Sequence, residues 1–458
     1  MEKKTNKPAE PDLNRRDFLR GSSLAGLMGM LGGVQLLAPK ETKAVDVDSV
    51  VAFTVKVGVI GLGTRGRDIL TALGQQKEAI VAGICDNYPA SLKRAAKLAP
   101  EAKAVDDYKA LLADAEIKAV FIATPTQQHK EIALAALQAG KHVYLEAPIA
   151  HTVEDARAIA KAAVAAKKQY VQTGFDARSH PQNLFMYPFI RAGTVGKVVA
   201  AHGHWRKKTS WRFTSPNPDR EKELNWRLNK EVTTGLAGEI GSHQIDRMGW
   251  FLGQRPTAVT GYGKVMFWND GREVPDTINA LIEYEGGVAF NYDATLACSF
   301  EGETDALSGS DASVLMRDNK AWMFKEVDAP LLGWEVYARK DNLSLYNETG
   351  IALMANASKQ KALTAAGDAQ TAVADSALKY AVKNFLYNVN EVANGVEDFL
   401  ATFDPKDVKA LEEFVSKIKK LPAASIVDGY ESTVVAIKAN EAIAKGGRVE
   451  LPKELFTI

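Results

Sequence analysis

The sequence predicts an α/β protein with two unlike parts: a doubly wound parallel sheet, then a C-terminal α/β domain with a large, mainly antiparallel open sheet. Three observations predict this. Apolar, β-branched runs alternate with helical stretches up to about residue 174. The first of those runs passes directly into a glycine-rich loop. Beyond residue 175 the runs lengthen, often alternate, and are split by Gly-Gly and Asp-Gly pairs, the pattern of hairpin-linked strands.

In the first part TVKVGVIGLG reads as a strand and RGRDILTALGQQ as a helix. AIVAGICD and PASLKRAAKLAP repeat the pair, and KAVFIATP, KHVYLEAP and KQYVQTG give three more strands. QQHKEIALAALQAG and TVEDARAIAKAAVAAKK carry apolar residues at three- and four-residue spacing and read as helices between them. Strands that are continuously apolar and alternate with helices belong to a parallel sheet covered on both faces. This domain is taken as residues 51–174 and the second as 175–458.

In the second part VGKVVAAHGHWRKK, TAVTGYGKVMFW, TINALIEYE and GVAFNYDATL read as antiparallel strands. A stretch rich in Trp, Arg and Pro spans 205–230, a short helix is expected around 238–252, and further helices at about 376–399, 406–419 and 429–445. Residues 355–380 read as a loop insertion or a loosely held helix.

Lys+Arg is 57 and Asp+Glu is 56, a formal net charge of +1. No bulk field exists to attract nucleic acid. Cys85 and Cys298 cannot build a disulfide framework. Near the N-terminus, NRRDFLRG precedes an uncharged run from Gly21 to Pro39. Twin arginines ahead of an apolar run resemble a twin-arginine export signal, so residues 1–50 are set apart as signal and linker. The expected location is periplasmic or otherwise exported, with the twin-arginine machinery as a partner. The competing reading is a basic tail followed by a buried or anchoring helix.

The loop Gly61-Leu62-Gly63-Thr64-Arg65-Gly66 follows a strand and opens a helix, the context a dinucleotide-binding Rossmann loop needs. Gly61 turns tightly, Gly63 lets backbone approach a pyrophosphate, and Gly66 allows close helix packing. Asp86 lies 20 residues beyond Gly66, where a carboxylate would bind ribose hydroxyls and repel a 2′-phosphate. NAD is therefore favoured over NADP, with Lys93 and Arg94 nearby as the counterargument. The competing reading is a glycine-rich turn with a helix-capping Asp.

ATPTQQH (123–129), AGKHVYLEAP (139–148) and GLAGEIGSHQID (235–246), with the glycine loop, resemble the Gfo/Idh/MocA family of sugar and polyol oxidoreductases. The resemblance runs from about 54 to 300 and returns at 428–446. It implies that Thr124, Pro125, His129 and Glu146 line the cofactor, His129 near the nicotinamide ribose. Arg178 matches a family arginine, and with His180 it is expected in the substrate cleft. The family's Glu-Lys-Pro has become Glu146-Ala147-Pro148, so its usual ammonium is missing. Glu239 and His243 are four apart and would share one helix face. His243 is expected to transfer the proton, its pKa lying nearest working pH, and Glu239 to orient it or to bind a sugar hydroxyl. Metal binding by the pair lacks a third ligand, so no metal is expected; a plain ion pair is the other reading. Asp246 is expected to be structural. Trp226 and Arg227 either bind sugar or pack between domains. His202 and His204 share a strand face rather than forming a site.

The expected function is hydride transfer on a sugar, polyol or glycoside with tightly held NAD, a carbohydrate being the small-molecule partner. The alternatives are an NAD-dependent glycoside hydrolase or lyase using transient oxidation, and a non-catalytic sugar- or NAD-sensing protein. Homo-oligomer formation through the open sheet is expected from the family.

Overall fold

The computed structural model describes residues 53–317, 320–329, 339–342, 349–353 and 376–458. The expected export segment and most of the Ala-rich stretch lie outside these residues. Among the described residues, no helix is long and apolar enough to cross a membrane.

Six parallel strands form the first sheet: β1 (Val55–Ile60), β2 (Ala79–Cys85), β3 (Lys103–Val105), β4 (Ala119–Ile122), β5 (His142–Leu145) and β6 (Val171–Thr173). Their order is β3-β2-β1-β4-β5-β6. β4 and β5 are buried along their whole length, as strands covered by helices on both faces must be. β3 has only three residues and sits at the edge, too short to show an apolar run in the sequence.

The register sets the position of everything that follows. Ile60 pairs with Cys85 and Ile122, Ile122 with Leu145, and Leu145 with Thr173. The strands thus end in one row. Gly61, Asp86, Ala123, Glu146 and Gly174, each the next residue along, emerge at the same carboxyl edge. The strand order reverses at β1 and β4, and ligands of open α/β sheets bind in the crevice outside such a switch point.

One helix belongs to a different core from the one its place in the sequence suggests. Ala377–Thr402, placed by sequence in the C-terminal domain, packs on the first sheet. Leu378, Val382, Phe385 and Val389 share a buried cluster with Val57, Ile69, Phe121 and Tyr144. Phe385 meets Phe121 edge-on at 5.0 Å and Tyr144 at 5.6 Å. Its apolar face was legible as a periodicity, but periodicity does not say which core the face will meet.

Among the described residues the second sheet has ten strands: β7 (Val198–Arg206), β8 (Pro256–Lys264), β9 (Thr277–Tyr284), β10 (Ala289–Thr295), β11 (Glu303–Gly309), β12 (Ala312–Arg317), β13 (Lys320–Lys325), β14 (Arg339–Asn342), β15 (Thr349–Leu353) and β16 (Arg448–Glu450). Their order is β14-β15-β13-β12-β11-β7-β10-β9-β8-β16, and neighbouring strands are antiparallel except β7 with β10. The helix Ile426–Lys445, opened by a Ser425/Asp428 capping box, carries the chain back to the first domain. There Thr433 receives the Ile149 N–H at 3.1 Å.

Candidate active site

The glycine loop is built to receive a dinucleotide. Gly61 has φ +88°, and a Cβ there would lie 2.6 Å from the Thr124 backbone N. A Cβ on Gly66 would lie 1.9 Å from the Gly61 carbonyl oxygen, whereas one on Gly63 would meet open space. The following helix, Thr64–Leu73, has no side-chain N-cap, so its first-turn N–H groups are available to phosphate. Beside the loop, the Thr124 hydroxyl is buried without a partner. Asp86 receives the Leu62 N–H on one oxygen and the Tyr88 N–H on the other, both at 2.8 Å. A carboxylate has about four lone-pair sites, so two are left for ribose hydroxyls. These residues fit the cofactor. Leu62 itself is fully buried, so its part is played by the backbone.

Arg65, counted by sequence with the cofactor loop, has its side chain engaged within the protein. Its side chain turns inward, with Nε 2.8 Å from Glu146 and Nη2 2.6 Å from Asp176. The second Asp176 oxygen accepts the Tyr144 hydroxyl at 2.6 Å. Two buried carboxylates thus share one guanidinium. Burial opposes the Arg65 charge, but Glu146 and Asp176 outweigh it and its pKa is raised. Glu146 goes the other way: burial, reinforced by Asp176 and opposed by Arg65, pushes it up to about 7. Asp176 and Tyr144 were not singled out from the sequence. The available signal was a tyrosine in an otherwise apolar buried strand and an acid just past the end of β6.

Glu239 and His243 do not share one helix. The chain forms Gly235–Glu239 and Gly241–Leu252 as separate helices, broken at Ile240 with φ −122° and ψ −54°. The expected pairing of Glu239 with His243 is replaced by other partners. Glu239 accepts the Thr234 hydroxyl at 2.8 Å and the Thr126 hydroxyl at 3.3 Å, and faces Arg227 Nε at 3.4 Å. Thr126 belongs to the turn after β4, so Glu239 links the two domains. His243 lies edge-on to Phe175 at 5.6 Å. Burial lowers its pKa, Asp176 raises it, and Arg65 lowers it, with a net decrease. His243 is therefore a neutral imidazole at neutral pH, able to accept a proton.

Three expected ligands are structural instead. His129 is buried with Nδ1 3.1 Å from the Pro148 carbonyl and Nε2 3.0 Å from the Thr124 carbonyl, and burial lowers its pKa to about 4. It braces the two strand-end turns rather than touching a ribose. Arg178 grips Asp246 at 2.9 Å and Asp428 at 2.9 Å, with Trp250 under its guanidinium. Both carboxylates engage the Arg178 guanidinium, and Asp246 is buried in that pair. His180 caps a helix by accepting the Gln182 N–H at 3.2 Å, its ring against Tyr380. Trp226 is buried beneath Arg227 at 4.4 Å, so the tryptophan packs while the half-exposed arginine reaches Glu239. Pro125 lies in the turn between Thr124 and Thr126, ahead of the helix that carries His129. Among the described residues, no cluster of three or more His, Cys, Asp or Glu could hold a metal ion.

Residues 55–175 match the model of an oxidoreductase family with an NAD-binding Rossmann fold, and residues 186–315 match the GFO/IDH/MocA C-terminal domain. The chain belongs to the Gfo/Idh/MocA family. Its first domain is an NAD-binding Rossmann domain. Inositol 2-dehydrogenase of Salmonella typhimurium is 28% identical over 262 residues, 55% of this chain and 72% of that protein. Levoglucosan dehydrogenase of Pseudarthrobacter phenanthrenivorans is 32% identical over 149 residues, 32% of this chain and 36% of the relative. A solved levoglucosan dehydrogenase in complex with NADH and levoglucosan has a TM-score of 0.64 at 21% identity, covering 87% of this chain and all of that one. An oxidoreductase domain protein of Kribbella flavida also has a TM-score of 0.64, at 20% identity. These structural likenesses carry the fold. Within the Gfo/Idh/MocA frame, Ala147 departs from the lysine-containing motif, and Arg65 is paired with the residue before it, Glu146.

Proposed function

We propose that this protein oxidises a hydroxyl-bearing carbon of a sugar, polyol or glycoside, with NAD held tightly as the hydride acceptor. The observation that carries this reading is the Arg65, Glu146 and Asp176 cluster at the strand ends beside the glycine loop, with His243 edge-on to Phe175, the residue before Asp176. The glycine loop, the uncapped helix and Asp86 would hold the dinucleotide, Asp86 favouring ribose hydroxyls over a 2′-phosphate. When bound, the dinucleotide supplies the site that accepts hydride from the substrate carbon. His243 takes the hydroxyl proton as that carbon becomes a ketone. Arg65 lends positive charge near the developing oxyanion in place of the missing lysine. Glu239, fixed by Thr234, Thr126 and Arg227, accepts a hydrogen bond from a neighbouring substrate hydroxyl. The twin-arginine segment supports an exported enzyme, which would need a captive cofactor. Association through the open sheet belongs to the same reading.

Ala147 favours one second reading. A ketone acidifies the adjacent C–H, so His243 could remove that proton, expel a glycosidic substituent and let water and the returned hydride complete a redox-neutral hydrolysis. One experiment tests both. Purified protein is denatured to identify any released dinucleotide, and intact NAD-loaded protein is mixed with sugars, polyols and aryl glycosides. Rising absorbance at the reduced-nicotinamide band supports oxidation. Aglycone release without net NADH supports the second reading. NAD-loaded protein that does neither overturns both and favours a sensor.

A further inference from the structure

The second domain reaches back to the first at the edge where Asp86 emerges. The segment 211–225 follows β7 and includes the short helix Pro218–Leu224. There the Arg220 guanidinium lies 4.1 Å from the centre of the Tyr88 ring. The Tyr88 N–H is donated to Asp86 at 2.8 Å, so the stacked pair adjoins the carboxylate that faces the ribose position. Tyr88 and, from the segment, Ser215, Asn217, Asp219, Arg220 and Glu223 line a cavity of about 320 Å³. Arg220 is largely covered, with side-chain exposure of 18%. It donates to Glu223 at 2.7 Å, while its buried Nε has no partner. A buried donor without an acceptor is costly unless a ligand supplies one.

The segment is braced rather than trailing. The Asn225 side chain accepts the Phe213 N–H at 2.8 Å and donates to the Phe213 and Glu221 carbonyls, each at 2.8 Å. Glu221 takes the Arg212 guanidinium at 2.6 Å and the Ser215 N–H at 3.1 Å. Trp211 has φ +62°, a left-handed conformation that is costly for a bulky residue and persists where its surroundings hold it.

We infer that this segment is a clasp on the dinucleotide: Tyr88 and Arg220 close over the adenosine end and slow its release. The stacked Tyr88–Arg220 pair, with its unpartnered Nε donor, suits an adenosine. Asp219, Glu223 and Asp86 make the surroundings acidic, which suits ribose hydroxyls and opposes a 2′-phosphate. This rests on the NAD-dependent reading above and adds residues outside the Rossmann fingerprint.

The test is the release rate of NADH. Protein loaded with NADH is mixed with excess NAD, and loss of bound-NADH fluorescence is followed in the parent, Arg220→Ala, Tyr88→Ala and Tyr88→Phe. Arg220→Ala and Tyr88→Ala should release NADH about tenfold faster, the effect of losing one stacking contact on the adenosine. Tyr88→Phe keeps the ring and should match the parent. Thermal melts of the cofactor-free proteins identify any variant that fails to fold, and the folded one of the two alanine variants then decides. Unchanged release from a folded alanine variant overturns the clasp and leaves the functional reading standing. A parent protein that binds no NAD or NADH overturns both.

Discussion

Arg65 Nε lies 2.8 Å from Glu146 Oε1, although the residues are 81 apart in the chain. The contact ties the glycine loop after β1 to the end of β5, so two elements expected to touch the cofactor separately are one unit. It also explains why a glutamate is tolerated at a position 5% exposed. A buried carboxylate needs a partner, and this one shares its partner with Asp176.

Glu146 should make stability depend on pH in an unusual direction. Its folded pKa is raised, by burial first, to about 7. The native state therefore holds a proton that the unfolded state loses near the ordinary 4.5. Stability from this group is fully present below that value and is lost as pH rises through about 7. Glu146→Gln keeps an acceptor for Arg65 and removes the titration. Urea midpoints at pH 5 and pH 8 should show the variant gaining on the parent at the higher pH, by of order 1–3 kcal/mol. A parent-to-variant difference that is the same at both pH values would show that Glu146 does not titrate in this range.

The sequence made the frame of the site legible and left most of its pairings hidden. The apolar strands and the residues following them could be read because period and turn chemistry are local properties. Gly61, Gly66 and Asp86 fall where their spacing put them. Arg65 could not be read this way, since its partners at 146 and 176 are set by strand order. The four-residue spacing of Glu239 and His243 suggested one helix face, but Glu239 is drawn to Thr126 and Thr234 and the helix breaks at Ile240. Arg178 and His180 looked like cleft residues because charge and imidazole suggest ligands. Burial against Asp246 and against Tyr380 gave them structural work instead.

The Arg178 pair should matter for folding rather than chemistry. Asp246 is 1% exposed, and besides Arg178 it accepts the Ser432 hydroxyl at 2.7 Å. Arg178→Met would leave that carboxylate buried without a cation, at a cost of about 3–5 kcal/mol. The expected result is a lower denaturant midpoint, with NADH affinity retained in the folded fraction. A variant with unchanged stability and lost substrate binding would return Arg178 to the cleft.

His243 is expected to be the proton acceptor, and two measurements constrain that role. His243→Ala should lower kcat/KM by about 10²–10⁴-fold while NADH release keeps its parental rate, because the side chain acts on the substrate proton and not on the dinucleotide. The pH profile is the sharper test. Burial lowers the His243 pKa below the ordinary 6.5, with Asp176 opposing and Arg65 assisting. A base must be neutral to work, so the acid limb of kcat/KM should fall below pH 6.5 in the parent. Asp176→Asn removes the charge that opposes the shift, so the limb should move lower still. A limb that stays in place in Asp176→Asn, or substantial turnover in His243→Ala, would mean that another group takes the proton, and Glu146 would be the next to test.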